Sequence, residues 1–206
     1  MKKIYFWIAI IFFTLVISSC AKKEESDDSD DSTCVTSTTA SGSITVGSET
    51  MSGVYASSCV TENLTDFPSD TKGIKMVKVV TGDSALSEEF LIYTDTSCST
   101  NSGHIKWGRT SVTVGDASGS NYKVTYTAST VKVLANTTVA ETAIESMFED
   151  SIDLTVGTEF SASDSGESGK NLFYVDSTTI RTADVVADNE SYPTDIDSPT
   201  MTKTCE

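Results

Sequence analysis

Five cysteines, one histidine and 30 carboxylates are the residues of this 206-residue chain whose types could do chemistry. His104 stands in "GHIKWGR" with Lys106 and Arg109, a small positive island on an acidic protein. A catalytic histidine needs a nucleophile and an orienting partner, and the many Ser and Thr around it define no spacing for either. The alternation around His104 instead predicts a solvent-facing strand position. Carboxylate pairs for hydrolysis could be drawn from Glu88, Glu89, Asp95, Glu159 or Asp164, but no spacing selects two of them. The sequence has no G-x-S-x-G elbow, and "VTVGDASGSN" (112–121) lacks the Gly-Lys-Ser/Thr ending of a phosphate loop. With one His and no C-x-x-C, neither a metal site nor another cofactor is expected. The chain reads as a non-enzyme.

The cysteines say more. Residues 1–20, "MKKIYFWIAIIFFTLVISSC", run from Lys2 and Lys3 through an apolar stretch to small residues, the three zones of a secretory signal. The apolar run is short for a membrane span. Its end, Ile17-Ser18-Ser19-Cys20, resembles the bacterial lipobox, in which the cysteine sulfur is diacylglycerated before cleavage. The resemblance implies a signal peptide over 1–19 and a lipidated Cys20 as the new N-terminus, anchored stably by two or more acyl chains. Ala21 stands where an Asp would retain such a protein at the inner membrane. The implied place is therefore the cell envelope, at the outer membrane, on its periplasmic face or at the cell surface.

Beyond the anchor, "EESDDSDDS" (24–32) has no apolar residue, and a segment of this kind cannot offset its ordering entropy. A calcium loop would need alternating ligands around a Gly turn, which this run lacks. A disordered acidic tether is expected over 20–42. Once Lys2 and Lys3 leave with the leader, 12 basic residues face 30 acidic ones and the net charge nears −18. Nucleic acid and anionic headgroups both need a basic footprint, so neither is an expected partner.

Residues 43–206 suffice for one domain with a real core. Short apolar–polar alternations separated by Gly, Asp, Asn and Ser predict an all-β antiparallel protein. Strands are expected at 51–59, 73–80, 88–95, 104–115, 121–129, 130–135, 171–175 and 178–183. Ile105 and Trp107 have the opposite parity to Val112 and Val114, and Gly108 between them suits a bulge. One segment, 138–150, carries Ala140, Ile144, Met147 and Phe148 at helical spacing, with Thr138 and Glu141 as a capping box. It predicts one short accessory helix against the sheet or across an open end.

Cys34, Cys59, Cys98 and Cys205 remain after Cys20, an even number in an exported chain, with three connectivities open. If 51–59, 73–80 and 88–95 form a meander, Cys59 and Cys98 emerge at the same end, one strand apart on either side of the middle one. That arrangement favours Cys59–Cys98 and leaves Cys34–Cys205 to join the domain's first residues to its last.

Three stretches carry a further resemblance: "SGVYASSC" (52–59), "FLIYTDTSCST" (90–100) and the tail from Leu172 to Lys203. Together they resemble small bacterial lipoproteins and secreted domains with a lipocalin-like up-and-down β-barrel. Gly53-Val54-Tyr55 sits where lipocalins carry Gly-x-Trp. The resemblance implies a barrel and no particular ligand.

Small barrels either fill with side chains or hold one small molecule. Tyr55, Tyr93, Trp107 and Tyr126 fall in expected strands and are the candidate ligand-lining residues. The expected function is a lipid-anchored, monomeric, non-catalytic module that binds a small apolar or aromatic molecule. The other expectation is a structural or interaction lipoprotein with a filled barrel that meets envelope components through its loops.

Overall fold

The structure is a computed structural model that describes residues 34–149, 151–164 and 166–206. The leader, the lipidation position Cys20 and the acidic run 24–32 lie outside the described residues. Among the described residues twelve strands and one helix form: β1 (Ile44–Val46), β2 (Glu49–Met51), β3 (Val54–Ser57), β4 (Gly73–Gly82), β5 (Ala85–Tyr93), β6 (Asn101–Ser118) and β7 (Asn121–Ala135). Helix α1 (Thr138–Met147) follows, then β8 (Phe160–Ser163), β9 (Ser168–Val175), β10 (Thr179–Thr182), β11 (Val186–Ala187) and β12 (Met201–Cys205).

Eight of these strands close a ring in chain order: β3, β4, β5, β6, β7, β9, β10 and β12, with β12 returning to β3. Every pairing is antiparallel. The chain is an up-and-down barrel with one short helix, as the alternating pattern requires. What read as separate strands at 121–129 and 130–135 is one strand, β7. Its first half pairs with β9 and its second half with β8.

The parity change in β6 is real but lies elsewhere than expected. At Gly108 the extra residue is on the partner strand, where Ser129 intervenes between Gly108↔Thr130 and Arg109↔Ala128. The phase of β6 itself flips between Thr110 and Thr113, at Ser111, whose φ is +54°. This bulge keeps both Arg109 and Val112 on the inner face, although they are three residues apart.

Inward-facing residues form two apolar groups. One, around Val80, Leu86, Val124, Phe173 and Ile180, fills the end of the barrel entered by β1 and β2. The other, around Ile92, Ile105, Val131 and Val133, lies beneath α1, whose Ala140 and Ile144 are fully buried against it. The helix starts one residue before the expected box. Thr137 is the N-cap, its Oγ1 accepting from the Ala140 N–H at 3.1 Å, because its extended backbone sets the side chain over the first turn.

Both disulfides have the connectivity argued from the meander, Cys59–Cys98 and Cys34–Cys205. The second corrects the expected start of the domain. Residues 34–42 are not tether: bound to Cys205, they cross the outside of β4, β5 and β6 as a strap, with Val35 and Ala40 packed on Val54, Val77, Val79 and Leu91.

Candidate functional site

Lys78, Glu88 and Arg109 are in phase with the inward apolar residues of β4, β5 and β6, so closure of the ring gathers them inside. Glu88 lies opposite Lys78 on one side and Trp107 on the other. It forms an ion pair with the Lys78 ammonium and accepts from Arg109 Nε at 2.9 Å. The Tyr126 hydroxyl reaches the same carboxylate at 3.4 Å. Two cation–ring contacts complete the layer: Arg109 over Tyr126 at 5.1 Å and Lys78 over Phe173 at 5.5 Å. This charged layer crosses the lumen between the two apolar groups.

Burial acts first on these groups. It would push the Glu88 carboxyl up, but Lys78 and Arg109 overcome it and hold the acid down to about 2. Burial, reinforced by Glu88, drives the Tyr126 phenol far above its ordinary range, so it remains a donor. Asn171 on β9 joins the layer. Its Oδ1 accepts from the Ala183 N–H at 3.1 Å, and its amide side chain lies against the Tyr126 hydroxyl. Despite burial, Glu88 and also the Asp164 carboxylate hold the Arg109 guanidinium above its ordinary range.

The end of the lumen nearest β1 and β2 is stopped by the hairpin that these strands form. Ile44, Val46 and Met51 insert beside Tyr55, Leu86, Tyr126 and Met201. The hairpin is a two-stranded sheet of its own, hydrogen-bonded to no barrel strand. Its turn residue Gly47, at φ +64°, lies so close to the Tyr122 ring that a Cβ there would overlap the hydroxyl.

Of the four aromatics expected to line a pocket, Tyr55 and Tyr126 lie in the lumen, 1% and 2% exposed. Trp107 faces the same interior, edge-on to Phe90 at 5.7 Å and nearer the helix. Tyr93 does not join them. It has the opposite parity in β5 and packs outside with Leu91 and Cys98.

The positive island splits for the same reason. Arg109 points inward, whereas His104 and Lys106 face out. Neither reaches open solvent. Lys106 donates to the hydroxyls of Thr36, Ser37 and Thr38 at 3.1 to 3.3 Å and lies 3.6 Å from Glu89, all under the strap. His104, expected to face solvent, is 8% exposed because Glu159 folds onto it, Nε2 to Oε2 at 2.9 Å. Burial, then Lys106, pushes the imidazole below its usual 6.5, and Glu159 partly offsets this.

Among the described residues no group of three or more His, Cys, Asp or Glu is placed to hold a metal. No helix there is long and apolar enough to cross a membrane. Sequence reasoning missed the charged layer, although the signal was present: Lys78, Glu88 and Arg109 each share the parity of apolar neighbours in consecutive strands. A scan of protein-family models finds none that matches the chain, and a comparison with curated protein sequences finds no match either.

Proposed function

We propose that the protein is a lipid-anchored module of the cell envelope that acts through its surface and not its lumen: it meets other envelope components through its loops and outer face and turns over no substrate. The observation that carries this reading is the occupied interior. The β1–β2 hairpin fills one end, α1 covers the other, and Lys78, Glu88, Arg109 and Tyr126 bond across the middle. A barrel that holds a small apolar molecule in its resting state would not place a saturated carboxylate at the centre. The anchor is supported by the lipobox-like Ile17-Ser18-Ser19-Cys20 and the location by Ala21.

The test is native mass spectrometry of the mature protein, extracted from membranes without denaturation. The expected mass is that of polypeptide plus acyl groups. A reproducible additional mass that leaves on unfolding would overturn the filled-barrel reading. Separately, Cys20→Ala should move the protein out of the membrane fraction. If a variant with its leader cleaved stays membrane-bound, the lipid anchor is refuted.

A further inference from the structure

The apolar surface that the fold leaves uncovered gathers mostly at the α1 end of the barrel. Among the described residues three large apolar side chains are exposed, and two of them, Val139 and Val156, lie there. Half-buried Phe67, Met147 and Phe148 pack at the same end. Phe67 stands edge-on to Phe90 at 5.6 Å and Phe90 to Trp107 at 5.7 Å, so a file of rings leads from the loop 58–72 into the barrel interior. Apolar side chains grouped at one pole within a charged rim mark a contact surface.

That rim is acidic. Glu62, Asp66 and Asp70 lie in the loop, and Glu141, Glu145 and Glu149 lie on α1 or just after it. Among the described residues none of the six forms an ion pair, and Lys72 is the one cation in 58–72 and 138–159. Other cations are engaged elsewhere: Lys78, Lys106 and Arg109 in buried pairs, Lys132 with Glu159 and Lys170 with Asp188. The last turn of α1 has no basic residue either, so the negative end of the helix dipole adds to the field. Such a surface repels anionic headgroups and matches a cationic segment with an apolar side. The preceding chain joins at the opposite end. Cys205, bonded to Cys34, pairs with Val54, which faces Val79, and from there β4 runs about 20 Å to Gly73 at the α1 end. A molecule held from its N-terminal side carries this surface on its far pole.

We propose that the α1 end is a docking surface for a cationic amphipathic segment of a partner protein. Its Lys and Arg would meet Glu145, Glu149 and the last carbonyls of α1, and its apolar side Met147 and Phe148. The inference rests on the surface-acting role and names the chemistry of the partner. Glu149 offers a variant that separates binding from folding. Its φ of +52° is a backbone state that glycine enters freely, so Glu149→Gly removes the charge without loss of stability. Glu145→Gln keeps the oxygen that accepts from the Leu154 N–H at 2.8 Å.

The probes are a helical Leu–Lys amphipathic peptide and a Ser–Lys peptide of equal charge, both without tryptophan. Trp107 is the one tryptophan after the leader, so its emission reports binding to the mature protein, and calorimetry gives the affinity. In about 0.15 M salt, Glu145→Gln with Glu149→Gly should bind the Leu–Lys peptide about tenfold more weakly than wild type, with a urea midpoint unchanged or higher. Glu49→Gln with Asp116→Asn removes as much charge from the hairpin end and should change the affinity less than about twofold. The Ser–Lys peptide should bind wild type at least about tenfold more weakly than the Leu–Lys peptide. Equal losses in the two double variants, or no binding to wild type, overturn the site. A lower urea midpoint assigns the loss to the fold and overturns it as well, and equal affinity for the Ser–Lys peptide overturns the apolar contact. If the native mass is still that of polypeptide plus acyl groups, these failures leave the surface-acting role standing, whereas an additional mass overturns that role itself.

Discussion

Replacing Glu88 by Gln removes the carboxylate that pairs with both Lys78 and Arg109 and leaves Lys78 buried against a neutral amide. Two routes give the cost. Lowering the carboxyl from 4.5 to about 2 corresponds to about 3 kcal/mol of stability at neutral pH. Removing one partner from a buried ion pair costs about 3–5 kcal/mol in other proteins. For a domain of this size that is a fall in Tm of roughly 6–20 °C. Urea unfolding of wild type and Glu88→Gln at pH 7 should show the loss in the midpoint with the slope unchanged.

The pH dependence is the sharper check. Because the folded carboxyl is depressed, its contribution is fully present above about pH 4.5 and is lost as pH falls toward 2. Protonated Glu88 then resembles Gln, so the gap between the two proteins should close. Glu159→Gln serves as the control. Its pair with Lys132 is half-exposed, at 50% and 37%, and the expected change is about 0.5 kcal/mol. A Glu88→Gln cost below about 1 kcal/mol, or a gap that persists at pH 2.5, would refute the account of the layer as an ion-paired core.

Further outcomes follow from other elements. Proton NMR of the single histidine should give a midpoint below 6.5, and Glu159→Gln should lower it again. The sign implies that His104 costs stability as pH falls below 6.5, and a midpoint at or above 6.5 would refute it. Thr137→Ala should destabilise by about 1 kcal/mol, read as a shift in the urea midpoint. Peptide mapping without reduction should recover Cys59–Cys98 and Cys34–Cys205. Replacing the first pair by Ser, which opens a separation of 39 residues, should cost up to about 4 kcal/mol in thermal unfolding.

The barrel was legible because closure by neighbouring antiparallel strands needs only alternation and turns, and both are local. Val112 and Val114 even announced a change of phase, though they could not name Ser111 as its place. A non-glycine residue at φ +54° has no local signature when Gly108 stands close by. β8, β11 and β12 went unread because short strands with Ser, Thr and Ala take their order from longer neighbours. The strap was misread as tether for a related reason. Thr36, Ser37 and Thr38 look like spacer, and only the ring places Lys106 where it needs three hydroxyl acceptors. The luminal charges were half-legible: parity places Lys78 inside β4, but only the fold brings Glu88 and Arg109 to it.

The Cys34–Cys205 bond also decides where force enters the molecule. A pull arriving at residue 34 from the preceding chain passes through that bond to the end of β12, which is clamped between β10 and β3. The load thus bypasses residues 35–51 and never draws on the segment that closes the lumen. Without the bond the same pull would peel the strap from the outer face one contact at a time and then lift the hairpin. Cross-linked, the protein can be pulled at residue 34 while the hairpin stays slack.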